Sequence, residues 1–426
     1  MSALPTMFRV RQHFENPRVE DIEGETTTQL AKLNLAQRIK PGESVAITAG
    51  SRGIMNIHLV VKAIVEHLKS LGAKPFIVPA MGSHGGGTAE GQRKIVEGYG
   101  MTEEFLGCPI RATMETVIIC NTDEGFPVHF DRFAYEADHV VVCGRIKPHT
   151  NFVGDIESGL MKMMLIGLGK HEGAKIYHRA ILDYSFGEIV RSVAHRVLAQ
   201  CNIVAGVGIV ENAYDQTAKI AAVAPEEFEE REKELLNLAK QWMPRLPFRR
   251  VGLLILDQIG KNISGSGLDT NIVGRKYNDH KASEDEWPKV GRIMIRDLTP
   301  ETKGNAAGFG IAEFCSRRVV EKADMRITKI NCLTGGHPSG AMVPVNYDSE
   351  RETLEAALST VGLAEPQDTK VLWIRDTLHL AEVECSSVYL QEARDRDDLE
   401  ILTEPREIMF DAQGDLIDFE PMLCTA

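Results

Sequence analysis

At 426 residues the chain is too long for one ordinary core and long enough for two, at roughly 100–200 residues per domain. Apolar residues at 43% and charged residues at 26% exclude extensive disorder, and a formal net charge of −13 disfavours nucleic acid or an anionic membrane as the main partner. The eight cysteines are scattered without a CxxC pair, no apolar run approaches a membrane span and Met1 to Asn16 has no apolar signal core, so a cytoplasmic protein is expected.

In chain order, Ser44 to Thr48 reads as a buried strand, followed by a glycine-rich turn with Ser51 and Arg52 and an amphipathic helix near Asn56 to Leu71. A strand from Pro75 to Pro79 completes a βαβ unit. The run Gly82-Ser-His-Gly-Gly-Gly-Thr88 then places His84 just past a strand end, with Thr88 as N-cap of the next helix. His139 to Cys143 is a similar strand and leads to Gly144-Arg-Ile-Lys-Pro-His149. Ligands of open α/β sheets bind at that edge.

Pro225 to Trp242 reads as a charged helix with Phe228, Leu235, Leu238 and Trp242 near one face, and with Pro244 and Pro247 beyond it as an interdomain connection. A strand from Val251 to Leu256 opens the second domain and leads to the polar, glycine-rich loop Asp257 to Gly267. Lys303 to Gly310 is a second glycine-rich stretch before a helix expected around Ile311 to Lys322, and Thr334 to Gly340 is a third loop. Glu407 to Phe410 and Leu416 to Phe419 flank Asp411 to Gly414 as a hairpin. The expected architecture is α/β with mainly parallel, doubly wound sheets in two domains, residues 1–245 and 246–426, and an active site in the cleft between them.

The segment from Pro148 to Lys162, with Ile176-Tyr-His178 after it, supplies two histidines and a lysine among glycines that let backbone approach a ligand. A histidine of ordinary pKa exchanges protons near neutral pH, and neutral imidazole binds nickel or zinc. With His84, the set offers both proton carriers and metal ligands. The glycines from Gly82 to Gly87 permit a phosphate at the following helix start but lack the Walker lysine and the dinucleotide spacing. Isolated histidines such as His195 and His379 read as surface or structural groups.

Ser51-Arg52, Gly82-Ser-His84, Lys147-Pro-His149, Lys162 and His178, in that order, resemble the motifs of the nickel-dependent lactate racemase family. The resemblance implies a nickel-pincer nucleotide, a pyridinium mononucleotide that holds nickel through two sulfurs and a ring carbon. It implies that Lys162 tethers this group, with Ser51, Gly82 and Ser83 around it, and that His178 completes the nickel coordination. His84 and His149 become an acid/base pair and Arg52 the holder of the substrate carboxylate. Gln258 and Lys261 are assigned to substrate by their place in a loop. The implied reaction inverts a lactate- or malate-like 2-hydroxy acid, one histidine taking the hydroxyl proton while the C2 hydride moves to the cofactor ring. Enzymes of cofactor synthesis are then the expected protein partners.

Two departures from the family stand out: the His149-to-Lys162 segment is a few residues longer, and Ala49 replaces an aspartate common before the arginine. Two other readings of the same residues stay open. One is a zinc hydrolase or lyase built on His84, His149 and His178, although HExxH is absent. The other is a carrier that binds the nucleotide without catalysis.

Overall fold

A computed structural model describes residues 3–50, 53–181, 183–276 and 288–419. Its strands are β1 (Met7–Gln12), β2 (Ser44–Ala49), β3 (Lys74–Pro79), β4 (Thr116–Asn121), β5 (Pro127–Asp131), β6 (His139–Arg145) and β7 (Ile203–Glu211). They continue with β8 (Thr217–Val223), β9 (Arg250–Ile259), β10 (Lys289–Leu298), β11 (Phe314–Cys315), β12 (Val371–Ile374), β13 (Glu382–Ser386) and β14 (Leu399–Ile401).

The chain divides into two compact units, Glu15–Met243 and Met1–Phe14 with Pro244–Ala426. The expected division at residues 245 and 246 assigned the amino terminus to the first unit. Instead β1 pairs antiparallel with β13 and β14 of the second. An isolated edge strand has unpaired backbone groups, and β1 satisfies them where a partner edge exists.

In the first unit the sheet order is β3-β2-β6-β7-β8, parallel except at the β7–β8 hairpin. Its strands are near-continuous apolar runs because both faces are covered. Alternation along β6 sends Val140 and Val142 into one core, and Val141 and Cys143 into the other. The helix Ile57–Ser70 packs Val60, Val61, Ile64 and Leu68 into the second core. The helices Phe186–Gln200 and Phe228–Trp242 cover the opposite face with Ile189, Val193, Phe228 and Leu235. The latter helix is therefore part of the first unit's core rather than a connector, since Phe228, Leu235, Leu236 and Ala239 are buried there.

The second sheet, β11-β10-β9-β12-β13-β1-β14, is parallel from β11 to β12 and antiparallel from β12 onward. The helix expected around residues 311–322 is shorter, Arg317–Lys322, preceded by the short strand β11 with Ser316 as N-cap. The hairpin at Asp411 to Gly414 forms, with Phe410 bridged to Leu416. Among the described residues no helix is long and apolar enough to cross a membrane.

Candidate functional site

In the first unit, β2, β3 and β6 run parallel, and the loops leaving their carboxyl ends carry the turn after Ala49, Gly82 to His84, and Lys147 to His149. Ser51 and Arg52 lie outside the described residues. Later in the chain, the Met55 amide donates to Glu211 at 3.1 Å, and Glu211 also pairs with Arg145 at the end of β6.

Lys162 and His178 lie on a helical segment that is not one straight helix. A short α-turn, Leu160–Lys162, passes into a π-turn, Met163–Gly167, and the helix Lys170–Ala180 begins only after Lys170 takes a left-handed φ of 54°. A continuous helix would separate residues sixteen apart by about 24 Å. The break instead lets the charge of Lys162 act on His178. Burial, and secondarily that charge, hold the His178 imidazole below its ordinary pKa. The neutral form is the one that ligates a metal.

The π-turn packs directly on the strand ends. A side chain at Gly144 would meet the Met163 methyl at 3.0 Å, and one at Gly50 would meet it at 3.3 Å. Gly82 has φ +59, and a side chain there would meet Ile166 at 3.1 Å and Ala174 at 3.8 Å. Ile166 and Ala174 are each one turn from Lys162 and His178, so the Gly82–His84 bend sits beside that pair. Glycine is required at position 82 both by the positive φ and by this approach.

Glu232, on the helix Phe228–Trp242, accepts the Met161 amide at 2.8 Å and so caps the turn that carries Lys162. Its other oxygen is buried without a hydrogen-bond partner, and burial raises its pKa from the ordinary 4.5 to about 7 despite the amides it accepts. The folded protein therefore keeps a proton that the unfolded chain releases between these values. Stability should fall as pH rises through that window and level off above it, by about 3 kcal/mol in total. Urea midpoints at pH 5 and pH 8 should show most of this loss in the wild type and a smaller one in Glu232→Gln. Equal losses in the two proteins would mean that Glu232 does not titrate in this way.

His149 is held by its own loop. Its amide donates to Glu157 at 2.8 Å, and its Nδ1 accepts the Asn151 amide at 3.0 Å. That bond fixes the neutral tautomer with the proton on Nε2. The ring stacks on Phe152 at 4.2 Å, and Phe152 on Phe186 at 4.2 Å. The segment from Lys147 to Lys162 is fastened at two points: the Lys147 amide donates to the Ser158 carbonyl at 2.9 Å, and the buried Glu157 pairs with Lys240 at 2.6 Å.

His84 is exposed, and its amide donates to the Met81 carbonyl at 3.1 Å. Thr88 caps the following helix, Ala89–Gly98, by accepting the Gly91 amide. His84, His149 and His178 do not form a three-ligand metal centre; among the described residues no group of three or more His, Cys, Asp or Glu side chains does.

In the second unit Gln258 lies near the end of β9 and Lys261 in the loop after it, where the Lys261 ammonium bonds to the Gly265 carbonyl. His379, expected to be a surface or structural group, lies at the same edge. Its Nδ1 lies 2.8 Å from a carboxylate oxygen of the buried Asp376. Burial pushes Asp376 up, but the bonds from His379 and two amides outweigh it and hold the carboxyl below its usual value. The signal available in the sequence was Asp376-Thr-Leu-His379 directly after a strand. His195 is the surface group it seemed, bonded to Glu229 at 3.0 Å. A groove lined by Arg250, Arg275, Lys289 and Lys370 lies at the opposite edge of the second sheet, at the amino ends of β9, β10 and β12.

Residues 13–186 match the model of the lactate racemase N-terminal domain. Among solved structures, the chain is similar to the lactate racemase apoprotein from Thermoanaerobacterium thermosaccharolyticum. The TM-score is 0.55 at 15% identity, over 85% of this chain and 92% of that one. A Thermotoga maritima protein matches with a TM-score of 0.47 at 13% identity, over 66% of this chain and 71% of that one. No curated protein matches.

Proposed function

We propose that this chain, whose residues 13–186 match the lactate racemase N-terminal domain, is a racemase or epimerase of a small 2-hydroxy acid, lactate- or malate-like. The observation that carries this reading is the pairing of Lys162 with a neutral His178 beside the Gly82–His84 bend. An amine for attachment and a single neutral imidazole suit a metal already held by an organic group, where a bare zinc ion would want three protein ligands. By that chemistry Lys162 and His178 would hold a nickel-pincer nucleotide, with Ser51, Gly82 and Ser83 around it. When bound, this group supplies a reversible hydride acceptor.

The chain's own residues then handle the proton and the carboxylate. His84 takes the proton of the substrate hydroxyl, and His149, protonated on Nε2, donates a hydrogen bond to the oxygen. For the opposite enantiomer the roles exchange, and His149 must give up its bond from the Asn151 amide before Nε2 can accept. Arg52 binds the substrate carboxylate, with Gln258 and Lys261 as further substrate contacts.

The test is a chiral-chromatography screen of 2-hydroxy acids deuterated at C2, with protein produced beside the cofactor-synthesis enzymes. Inversion with deuterium largely retained in ordinary water is expected. Label washing out at the rate of inversion would indicate two-base proton exchange and end the hydride reading. Tight binding of the nucleotide with no inversion of any substrate would make the protein a carrier.

A further inference from the structure

Lys170 belongs to none of the motifs named above, yet its side chain is entirely buried. Its ammonium lies 2.9 Å from Asp131, whose side chain is also wholly buried, at the end of β5. It also donates to the Pro79 carbonyl at the end of β3 and to the Gln92 amide oxygen at 3.3 Å. Gln92, itself buried on the helix Ala89–Gly98, donates in turn to the Gly82 carbonyl at 2.8 Å and the His84 carbonyl at 3.3 Å. These are the two carbonyls on either side of Ser83. Lys170 is also the residue whose left-handed backbone turns the chain between Lys162 and His178.

A buried ammonium is costly to desolvate, and replacing such a pair with apolar groups is often neutral or stabilising. Stability alone is thus a poor reason for this arrangement, whereas geometry is a good one. The Gln92 amide group acts on one short bend, Lys170 on the end of β3 that leads into it, and Lys170 itself sits at the break in the helical segment.

We propose that Lys170, through Asp131 and Gln92, is a positioning residue that holds the His84 bend in register with the helical segment carrying Lys162 and His178. The proposal rests on the racemase reading for the roles of those three residues, but the network itself does not. Lys170 fixes the start of the helix that ends near His178 and, through Gln92, the backbone that presents His84. A shift of about 1 Å between acid/base and cofactor costs on the order of a hundredfold in rate.

Lys170→Met alone leaves Asp131 charged and unpaired in the core and is expected to fold poorly. Two other variants keep the test open: Gln92→Met, which removes both donors at similar volume, and the double variant Lys170→Met/Asp131→Leu, which removes both charges. Hydrogen exchange of the unloaded protein is expected to quicken at least tenfold in peptides spanning residues 81–87 in both variants, with the remaining peptides unchanged except residues 131–136 in the double variant, whose first turn Asp131 caps by accepting the Ala134 amide. In loaded protein the Lys162 mass addition should persist while kcat falls at least tenfold and KM stays within about twofold. Unchanged exchange in the bend, or loosening spread over the whole first unit, would overturn the positioning role. A wild type that inverts no 2-hydroxy acid would defeat the racemase reading alone, because the exchange measurement needs neither substrate nor cofactor.

Discussion

Protein produced together with the cofactor-synthesis enzymes is expected to carry nickel and a covalent mass addition on the peptide containing Lys162, and Lys162→Ala to lose the addition. His178→Ala should keep the addition but release nickel to a chelator at least a hundredfold faster. The asymmetry follows from the geometry. Lys162 sits in a turn capped by Glu232, so on the proposed reading its attachment would not depend on the imidazole, whereas His178 would offer its neutral ring nitrogen to the metal. Intact-protein and peptide mass spectrometry with metal analysis decides both points. A mass addition on another residue, or nickel retained equally by His178→Ala, would reject these assignments. A nucleotide that stays bound and active without a covalent link would keep the racemase and reject the tether.

The second large effect is expected at the two loop histidines. His84→Ala and His149→Ala should each lower turnover by at least about a hundredfold while leaving folding and cofactor loading intact. The two should differ under conservative replacement. Because His149 Nδ1 is already engaged by the Asn151 amide, its Nε2 acts first as a hydrogen-bond donor. Glutamine places an N–H near that position, so His149→Gln should recover roughly tenfold over His149→Ala for the enantiomer that uses His149 as donor. His84→Gln should recover nothing for the same enantiomer, since an amide cannot take up a proton. Near-normal turnover in either alanine variant would remove that residue from the mechanism. Equal recovery in both glutamine variants would remove the difference in role.

The edge that holds these residues was legible because its signals are local. A buried strand, a glycine turn and an amphipathic helix repeat along the first unit, and each loop after a parallel strand end was recognisable from its glycines and histidines. Ser44 to Ala49, Ile57 to Ser70 and the Thr88 cap follow from short-range periodicity and capping chemistry. The ordered motifs around Ser51, His84, His149, Lys162 and His178 carried the family resemblance for the same reason. Order along the chain survives where overall identity is low.

What periodicity does not record is which distant groups meet, and the tertiary structure alone decided that. The Met7–Gln12 strand carries no mark that it pairs with β13 and β14, some 370 residues away in the case of Glu382. Nothing near Lys170 in the sequence announces a buried ammonium, because its partners Asp131, Gln92 and Pro79 are brought together only by packing. The same holds for Glu232, one of many acidic residues on a charged helix, whose protonation is set by burial beneath the turn of Lys162. Local patterning specifies elements, because backbone hydrogen bonding and side-chain periodicity are short-ranged. Desolvation and charge pairing depend on the assembled surroundings, and that is why both the proton on Glu232 and the ion pair of Lys170 came into view only in the folded chain.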